Sequence, residues 1–434
     1  MSGSKPLFAV NERTYAEAEL APLWRRWQEE ERGGLFPSRE EGPVAICLAD
    51  AAELLALILY VREQGRSALL LHSQTPRAAA EKLAAEAGCS ALLYGTADEG
   101  ASPVAAAVER GESKAAEEGL MMFSSGTSGQ PKLIHRGWSD IDQEIESYNE
   151  ALALVAGPDT TPVILSPVSH AYGLICGVLA SMKRGVCPHM AYYTNPKLTL
   201  RLLRSFPKHL VYGVPMTLHV LSSLAGEQRF DKLMSSGAAL PQKLLEQLRA
   251  QVDGGVYQQY GCSEAGCLSV SGPLMHVEDI GRPLKHLELV AAEGTREHPV
   301  ELCFRMGARQ VATGDIGYRE ERSGSLRLLG RADDIINTGG LKVYPAEVEE
   351  VIASLTEVRE CVVYRVNHPV MGEQVACQAV LEPGHSFSAE AIRTYCMAHL
   401  APYKVPSQVQ LVDKLPRGLT GKLSRRQLEE EHIG

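Results

Sequence analysis

The first hundred residues alternate short apolar runs with longer segments of helical pattern or composition. Three of the apolar runs have the length of buried strands: residues 44–48, 67–71 and 91–94. The helical segments, before and between these runs, are residues 14–31, 51–64 and 76–87. This alternation predicts parallel strands joined by helices, and therefore an α/β fold with a layered sheet.

The same alternation continues along the chain. One buried helix face is predicted within residues 139–153, formed by Ile141, Ile145, Tyr148 and Leu152. Strands are predicted at residues 162–167 and 209–215, and a helix follows the second of them at residues 216–224. Near the C-terminus, a helix, two strands and a second helix are predicted at residues 345–352, 358–366, 374–381 and 389–400.

Composition excludes several classes of protein. The chain has 434 residues, of which 45% are hydrophobic, as in an ordinary globular protein. A net charge of −10 argues against nucleic acid as a partner, because the balance of charges implies no basic face. The 10 cysteines are scattered singly, without the spacing of a zinc site or a disulfide framework.

The hydropathy pattern contains neither a membrane span nor a signal peptide. The longest apolar run, residues 54–61, is far too short to cross a bilayer. The first ten residues lack an apolar region of signal-peptide length. Reduced cysteines together with these absences predict a cytoplasmic protein.

The segment from Met122 to His135 carries the clearest candidate chemistry. It reads Met-Phe-Ser-Ser-Gly-Thr-Ser-Gly-Gln-Pro-Lys-Leu-Ile-His and follows an apolar strand-like run. Its hydroxyls, flexible glycines and one positive charge are supplied by Ser124, Ser125, Gly126, Thr127, Ser128, Gly129 and Lys132. These are the parts of an anion cradle, with polyphosphate as the favoured anion and an ordinary polar turn as the alternative. A Walker P-loop is excluded, because the order Gly-x4-Gly-Lys-Ser/Thr is absent.

Residues 123–132 resemble the phosphate-binding signature of the adenylate-forming enzymes. That superfamily comprises acyl- and aryl-CoA synthetases, adenylation domains of peptide synthetases, and luciferases. Further motifs follow in the family's order along the chain. The resemblance implies a large N-terminal domain of layered sheets and helices over residues 1–332, shorter than usual at its start. A small, mobile α+β domain over residues 333–434 would follow, joined to it by a hinge at Asp333.

Two motifs in the middle of the chain are expected to line the acid and adenine pockets. In Val168-Ser-His-Ala-Tyr-Gly173, the resemblance places His170 beside the carboxylate and the entry tunnel of the thiol. A packed core histidine is the alternative. In Leu233-Met-Ser-Ser-Gly-Ala-Ala-Leu240, the small residues Gly237 and Ala238 would flank the adenine. A plain strand-to-helix turn is the alternative there.

The segment Tyr260-Gly261-Cys-Ser263-Glu264 resembles the family pattern Tyr-Gly-x-Thr-Glu, with serine in the threonine place. The resemblance implies that Tyr260 stacks on adenine and that Ser263 contacts a phosphate. Glu264 would be the ligand of Mg²⁺, because a hard carboxylate beside nucleotide phosphates suits that ion.

Two later motifs are expected to bind the ribose and to allow domain movement. Asp315, in Thr-Gly-Asp, would accept hydrogen bonds from both ribose hydroxyls, and Arg331 would bind the ribose or the α-phosphate. Asp333 falls on the family's hinge position. Asn337 stands where lysine is common, so a contact from a lysine side chain is not expected there.

The last two motifs concern the thiol and the acid. Gly339 and Gly340 would make room for a pantetheine arm. Lys422, in Thr-Gly-Lys, is expected to reach the acid carboxylate and the α-phosphate. Without the resemblance, Lys422 would be read as a solvated surface lysine. Together with His170 and Glu264, Lys422 completes the predicted catalytic set.

The implied reaction is a two-step ligation with ATP and Mg²⁺ as cofactors. A carboxylic acid would form an acyl- or aryl-adenylate with release of pyrophosphate, and the acyl group would pass to CoA or a phosphopantetheinyl carrier protein. The assembly is predicted to be a monomer or a homodimer. A non-catalytic nucleotide-binding homologue and a phosphotransferase that releases ADP remain as alternatives.

The residues around His170 bear on the acid. Peptide-synthetase domains for α-amino acids place an aspartate there, which this chain lacks. Ligases for 2,3-dihydroxybenzoate carry asparagine where Ala171 stands. The compact chain resembles stand-alone aryl-acid ligases of siderophore pathways, including those for 3,4-dihydroxybenzoate. An aryl acid such as a dihydroxybenzoate is therefore favoured, with a fatty or short-chain acyl-CoA synthetase as the alternative.

Overall fold

The computed structural model describes residues 5–32, 42–95, 104–107, 118–124, 132–191, 195–290, 294–338, 341–368, 372–417 and 425–431. The strands of its first half are β1 (Phe8–Val10), β2 (Arg13–Tyr15), β3 (Val44–Leu48), β4 (Ala68–Leu70), β5 (Ala91–Gly95), β6 (Val104–Ala107), β7 (Gly119–Ser124), β8 (Lys132–Gly137), β9 (Thr161–Ile164), β10 (His189–Met190) and β11 (His209–Gly213). Those of the second half are β12 (Phe230–Ser235), β13 (Val252–Cys262), β14 (Gly266–Val270), β15 (Asp279–Pro283), β16 (Glu288–Leu289), β17 (Val300–Met306), β18 (Arg309–Arg319), β19 (Leu326–Arg331), β20 (Ile336–Thr338), β21 (Leu341–Val343), β22 (Val358–His368), β23 (Gly372–Leu381) and β24 (Gln408–Leu411).

The α-helices between these strands are α1 (Glu17–Arg32), α2 (Ala51–Glu63), α3 (Arg77–Glu86), α4 (Trp138–Leu152), α5 (Ala180–Lys183), α6 (Pro196–Leu203), α7 (Pro215–Leu224), α8 (Gln242–Gln251), α9 (Pro345–Ala353), α10 (Ala389–His399) and α11 (Arg425–Glu431). A π-helix over Tyr172–Leu179 precedes α5, and short 3₁₀-helices occur at Ala332–Asp334 and Pro402–Lys404. Within the described ranges, no helix is long and apolar enough to cross a membrane.

The chain folds into two compact units. Unit 1 comprises Met1–Gly237, Gln251–Pro273 and Leu284–His286. Unit 2 comprises Ala238–Ala250, Leu274–Pro283 and Leu287–Gly434. The boundary predicted at residue 333 lies within unit 2 and stays a prediction.

Unit 1 is built on two sheets that are mainly parallel. In the first, the strand order is β6-β5-β3-β4-β7-β8, with antiparallel pairs only at its two ends. In the second, the order within unit 1 is β14-β13-β12-β11-β9-β10-β1-β2, and the pairs from β13 to β1 are parallel. The predicted α/β class is confirmed.

The helix faces of unit 1 follow the apolar pattern of the sequence. All four residues predicted for the buried face of α4 are buried, from Ile141 to Leu152. The predicted start of the first helix was wrong by three residues, because Thr14 and Tyr15 belong to β2 and pair with β1. Helix α1 begins after them, where the Glu19 carboxylate accepts a hydrogen bond from the Ala16 amide at 2.8 Å.

Unit 2 contains two groups of strands. Strands β16, β17, β18, β19 and β15 form an antiparallel ladder in that order. Strands β20 to β24 form a second sheet, in which only β24 pairs in parallel, with β23. Helices α9 and α10 cover this sheet, and Val348, Ile352 and Ile392 are fully buried in its core. The C-terminal segment thus has the α+β character that the sequence predicted.

Candidate active site

The predicted phosphate segment lies between two paired strands of unit 1. Strands β7 and β8 are antiparallel, and Ser124 at the end of β7 lies opposite Lys132 at the start of β8. Lys132 is exposed. The side chain of Ser124 and the residues Ser125, Gly126, Thr127, Ser128 and Gly129 lie outside the described residues. Their predicted role stays a prediction.

The strand order of the second sheet places the other predicted residues of unit 1 at one edge of that sheet. Strands β9, β11, β12 and β13 are parallel neighbours, so their carboxyl ends point the same way. His170 follows β9, Gly237 follows β12, and Tyr260 lies near the end of β13. Ligands of open α/β sheets bind outside such carboxyl ends, and this edge is therefore the candidate active site of unit 1.

His170 is exposed at this edge. Its backbone amide donates to the Pro167 carbonyl at 3.1 Å, and its ring centroid lies 5.6 Å from that of His72. The alternative of a packed core histidine is therefore wrong. Next to it, the Tyr172 hydroxyl donates to the Met234 carbonyl at 2.5 Å, which joins the start of the π-helix to β12. Burial raises the pKa of Tyr172, so its phenol stays neutral and able to donate.

The end of β12 also contacts its neighbour β13. Gly237 is exposed and has a φ of 82°, a conformation that favours glycine. A Cβ at this position would lie 3.3 Å from a Val214 methyl group. The Ser236 hydroxyl donates to the Gln259 carbonyl at 2.9 Å, one residue before Tyr260. The neighbouring Ala238 is also exposed.

The Tyr260–Glu264 segment forms the end of β13 and the turn into β14. Tyr260 is 9% exposed, and Ser263 and Glu264 are half-buried. Gly261 packs so closely that a Cβ would overlap the carbonyl of Gly266. Burial raises the pKa of the Cys262 thiol to about 11.

No cluster of three or more potential metal ligands occurs within the described ranges. Glu264 contributes a single carboxylate. That donor set fits Mg²⁺, which takes one or two carboxylates and completes its shell with phosphate oxygens and water.

In unit 2, Asp315 and Arg331 form an ion pair across β18 and β19. The two residues are partners in the ladder, and Arg331 Nη1 lies 3.0 Å from Asp315 Oδ1 and 2.8 Å from the Thr313 carbonyl. Burial would lower the pKa of Arg331, but the carboxylates of Asp315, Asp333 and Asp334 together outweigh that effect and the pKa is raised. The pairing brings together two motifs that are distant in sequence and that both carry a predicted ribose contact.

Asp333 lies in the one-turn helix after β19 and its side chain is 65% exposed. Its carbonyl accepts a hydrogen bond from Arg365, and the next residue, Asp334, pairs with Arg425 at 2.8 Å. Arg425 also makes two 2.8 Å bonds to the Glu349 carboxylate.

Sequence reasoning missed the contact of Arg365 altogether. It also did not identify Asp334 and Glu349 as the acids that Arg425 contacts. One sequence signal could have indicated a role for Arg425, because it lies three residues after Lys422 in the final motif.

Several predicted residues of unit 2 cannot be placed. Gly339, Gly340 and Lys422 lie outside the described residues, and their roles stay predictions. Asn337 is exposed, and its backbone amide donates to Glu373 at 2.6 Å.

Two buried charges of unit 1 were also missed. Arg136 on β8 and Glu144 on α4 are each 1% exposed and form an ion pair of 2.6 Å. The burial of Glu144 could have been predicted from the sequence, because this residue lies three residues after Ile141 on the face predicted to be buried.

Comparison with known proteins identifies the family. The family model described as AMP-binding enzyme matches residues 38–314, which is more than half of the chain. The chain belongs to the AMP-binding enzyme family. A second match, to the AMP-binding enzyme C-terminal domain, covers residues 347–422. The predicted membership of the adenylate-forming superfamily and the prediction of an enzyme are both confirmed.

Individual relatives agree with this assignment. The chain is 39% identical over 425 residues to a 3,4-dihydroxybenzoate–[aryl-carrier protein] ligase of Bacillus anthracis, covering 98% of each chain. ATP-bound MatB from Rhodopseudomonas palustris has a similar fold, with a TM-score of 0.81 at 21% identity, covering 99% of this chain and 96% of that one. O-succinylbenzoate coenzyme A synthetase from Bacillus subtilis, in complex with AMP, gives a TM-score of 0.80 at 22% identity, with coverage of 98% and 95%.

Replacing Gly314 should break the Asp315–Arg331 pair. Gly314 has a φ of 70°, and a Cβ there would lie 2.9 Å from Arg331 Nη2. We expect Gly314→Ala to lower the free energy of unfolding by about 1–2 kcal/mol for the backbone strain, plus the cost of displacing the guanidinium. Urea unfolding measures the loss.

Gly307→Ala is the matched control for this change. Gly307 also has a positive φ, 57°, but nothing lies within 4 Å of its added Cβ. Equal losses in the two variants would show that the close approach to Arg331 contributes nothing.

Proposed function

We propose that this protein is an ATP-dependent ligase that activates an aryl acid and transfers it to a carrier-protein thiol. The favoured acid is a dihydroxybenzoate, and in particular the 3,4-isomer. The observation that carries the proposal is the 39% identity, over 98% of both chains, to a ligase named for 3,4-dihydroxybenzoate and an aryl-carrier protein.

The residues after His170 support this choice of acid. Ala171 offers no side-chain hydrogen bond to a hydroxyl at ring position 2, so the 3,4-isomer loses nothing there. His170 is followed by Ala-Tyr, without the aspartate that would hold the ammonium group of an α-amino acid. Both features favour an uncharged aryl ring in the pocket.

In the first step, a carboxylate oxygen of the acid bonds to the α-phosphorus of ATP, and pyrophosphate leaves. The enzyme need only position the reactants and offset charge, so no covalent enzyme intermediate is required. Lys422 would neutralise the two anions that approach each other. The segment from Ser124 to Gly129 and Lys132 would hold the β- and γ-phosphates.

Other residues would bind the rest of the nucleotide. Asp315 would accept hydrogen bonds from the ribose hydroxyls while Arg331 holds its carboxylate in place. Tyr260 would stack on the adenine, beside Gly237 and Ala238. Glu264 would hold Mg²⁺, which would offset the negative charge of the phosphates.

In the second step, the thiol sulfur bonds to the acyl carbon, the bond to AMP breaks, and the thiol proton is released. A rotation of the C-terminal segment about Asp333 would withdraw Lys422 and present Gly339 and Gly340 to the pantetheine arm. The contacts of Arg365 and Arg425 with Asp333 and Asp334 support a pivot here, because they attach the chain just after Arg331 to the C-terminal sheet. Such movements often limit turnover.

Acid-dependent exchange of pyrophosphate into ATP tests the proposal. We expect exchange with 3,4-dihydroxybenzoate and much weaker exchange with the 2,3-isomer, fatty acids and α-amino acids. Thioester formation is then measured with CoA and with a phosphopantetheinylated aryl-carrier protein, and we expect the carrier protein to be preferred. Formation of ADP, or exchange only with fatty acids, would refute the proposal.

Lys422→Ala should lower the rate of adenylate formation by roughly 100-fold or more, because it removes the charge that offsets the approaching anions. ATP affinity, measured by calorimetry, should stay near that of the wild type. Lys414→Ala is the control, since Lys414 is an exposed lysine of the same segment. Normal adenylate formation by Lys422→Ala would exclude the assigned role.

Asp333→Pro should impair thioester formation more than adenylate formation, because proline fixes the backbone angle about which a hinge must turn. The two half-reactions are measured separately, by pyrophosphate exchange and by acyl transfer to the carrier. Asp333→Ala is the matched control, since it removes the same carboxylate but leaves the backbone free. If proline slows both steps equally, Asp333 is not a hinge.

A further inference from the structure

Unit 1 contains an ion pair that is almost wholly buried. Arg136 Nη2 lies 2.6 Å from Glu144 Oε2, and both side chains are 1% exposed. Arg136 is on β8, which begins at Lys132, and Glu144 is on α4. The pair therefore joins the strand after the predicted phosphate segment to the following helix.

Glu144 also reaches a third segment of the chain. Its other oxygen, Oε1, accepts a hydrogen bond from the backbone amide of Cys267 at 2.7 Å. Cys267 is the second residue of β14, directly after the turn that carries Ser263 and Glu264. One carboxylate thus fixes β8 and β14 with respect to each other.

Gly266 lets the segments approach this closely. It has a φ of 78°, and a Cβ there would overlap both Arg136 Nη1 and Glu144 Oε2. The pairing of β13 with β14 places Gly266 opposite Cys262. The buried charges therefore lie directly against the base of the turn.

Stability alone does not explain a pair of this kind. Burying two charges costs desolvation free energy, and apolar residues of similar volume often stabilise a protein at least as well. In addition, Arg136 Nε and Nη1 are buried without a hydrogen-bond partner among the described residues. What the pair supplies is geometry, because it fixes the relative position of three segments.

We propose that Arg136 and Glu144 are positioning residues for nucleotide binding. They hold the turn of Ser263 and Glu264 at a fixed place relative to β8 and its Lys132. The inference rests on the proposed function, in which these two segments bind the phosphates of ATP. Both side chains are only 1% exposed, so the proposal assigns neither of them a contact with the substrate.

The test uses a double variant that removes the charges and keeps the shape. Arg136→Met with Glu144→Gln leaves no unpaired buried charge, and the glutamine oxygen can still accept from the Cys267 amide. We expect near-normal thermal unfolding, a KM for ATP raised about 10-fold and a kcat for pyrophosphate exchange lowered by roughly 10- to 100-fold. The KM for the acid should stay unchanged.

Two further variants separate positioning from general damage. Arg136→Lys alone keeps a positive charge beside Glu144. Its ATP affinity should therefore lie between that of the double variant and that of the wild type. The pair Asp159 and Lys208, 2.5 Å apart and more than half exposed in the same unit, provides the control. Asp159→Asn with Lys208→Met should leave KM and kcat within twofold of the wild type.

The outcomes distinguish this inference from the proposed function. Wild-type ATP affinity and kcat in the Arg136→Met, Glu144→Gln protein would overturn the positioning role, as would equal increases in KM for ATP and for the acid. If the wild type exchanges pyrophosphate with no acid, the proposed function fails. Calorimetric titration of the same variants with ATP and Mg²⁺ would then still decide the positioning role.

Discussion

The parallel register of strands β9, β11, β12 and β13 is the constraint on which unit 1 depends. Val163 pairs with Val211, Val211 with Leu233, and Leu233 with Val256, and all four are buried. A slip of one residue in any of these pairs would turn its apolar side chains to the opposite face. Because the register is fixed, β9, β11 and β12 end within one residue of the same level, and β13 continues four residues beyond them. The carboxyl ends of strands separated by almost a hundred positions in the sequence therefore lie at one edge of the sheet.

Local sequence signals were sufficient where an element depends on its own periodicity. The buried face of α4 is an example, since the spacing of Ile141, Ile145, Tyr148 and Leu152 predicts it. Local signals failed where pairing with a distant segment decides the secondary structure. The first helix was predicted to begin at Thr14, but pairing with β1, itself held by β10, makes residues 13–15 a strand. The π-helix at Tyr172–Leu179 left no signal, because almost every residue in it is apolar.

The residues of the candidate site also differ in how far the sequence predicts them. Most of them were predicted because short motifs resemble those of a known family, and composition alone would have predicted few of them. Composition could not reveal that Asp315 is held by Arg331, because the pairing depends on the ladder of β18 and β19. The Arg136–Glu144 pair depends on the approach of a strand, a helix and a third segment over a hundred residues later. Only the folded chain specifies that approach.

The burial of two cysteines has a consequence for an enzyme that makes acyl-adenylates, which are mixed anhydrides of a carboxylic acid and AMP. A thiolate near such an anhydride would bond to its acyl carbon, release AMP and inactivate the protein by self-acylation. Cys262 is adjacent to Ser263 in the candidate site, yet burial raises its pKa to about 11, and burial raises that of Cys267 as well. Since the thiolate is the nucleophile, the raised pKa lowers the reactivity of both side chains at neutral pH. Under the proposed function, these two cysteines then compete less with the thiol of the acceptor for the acyl group.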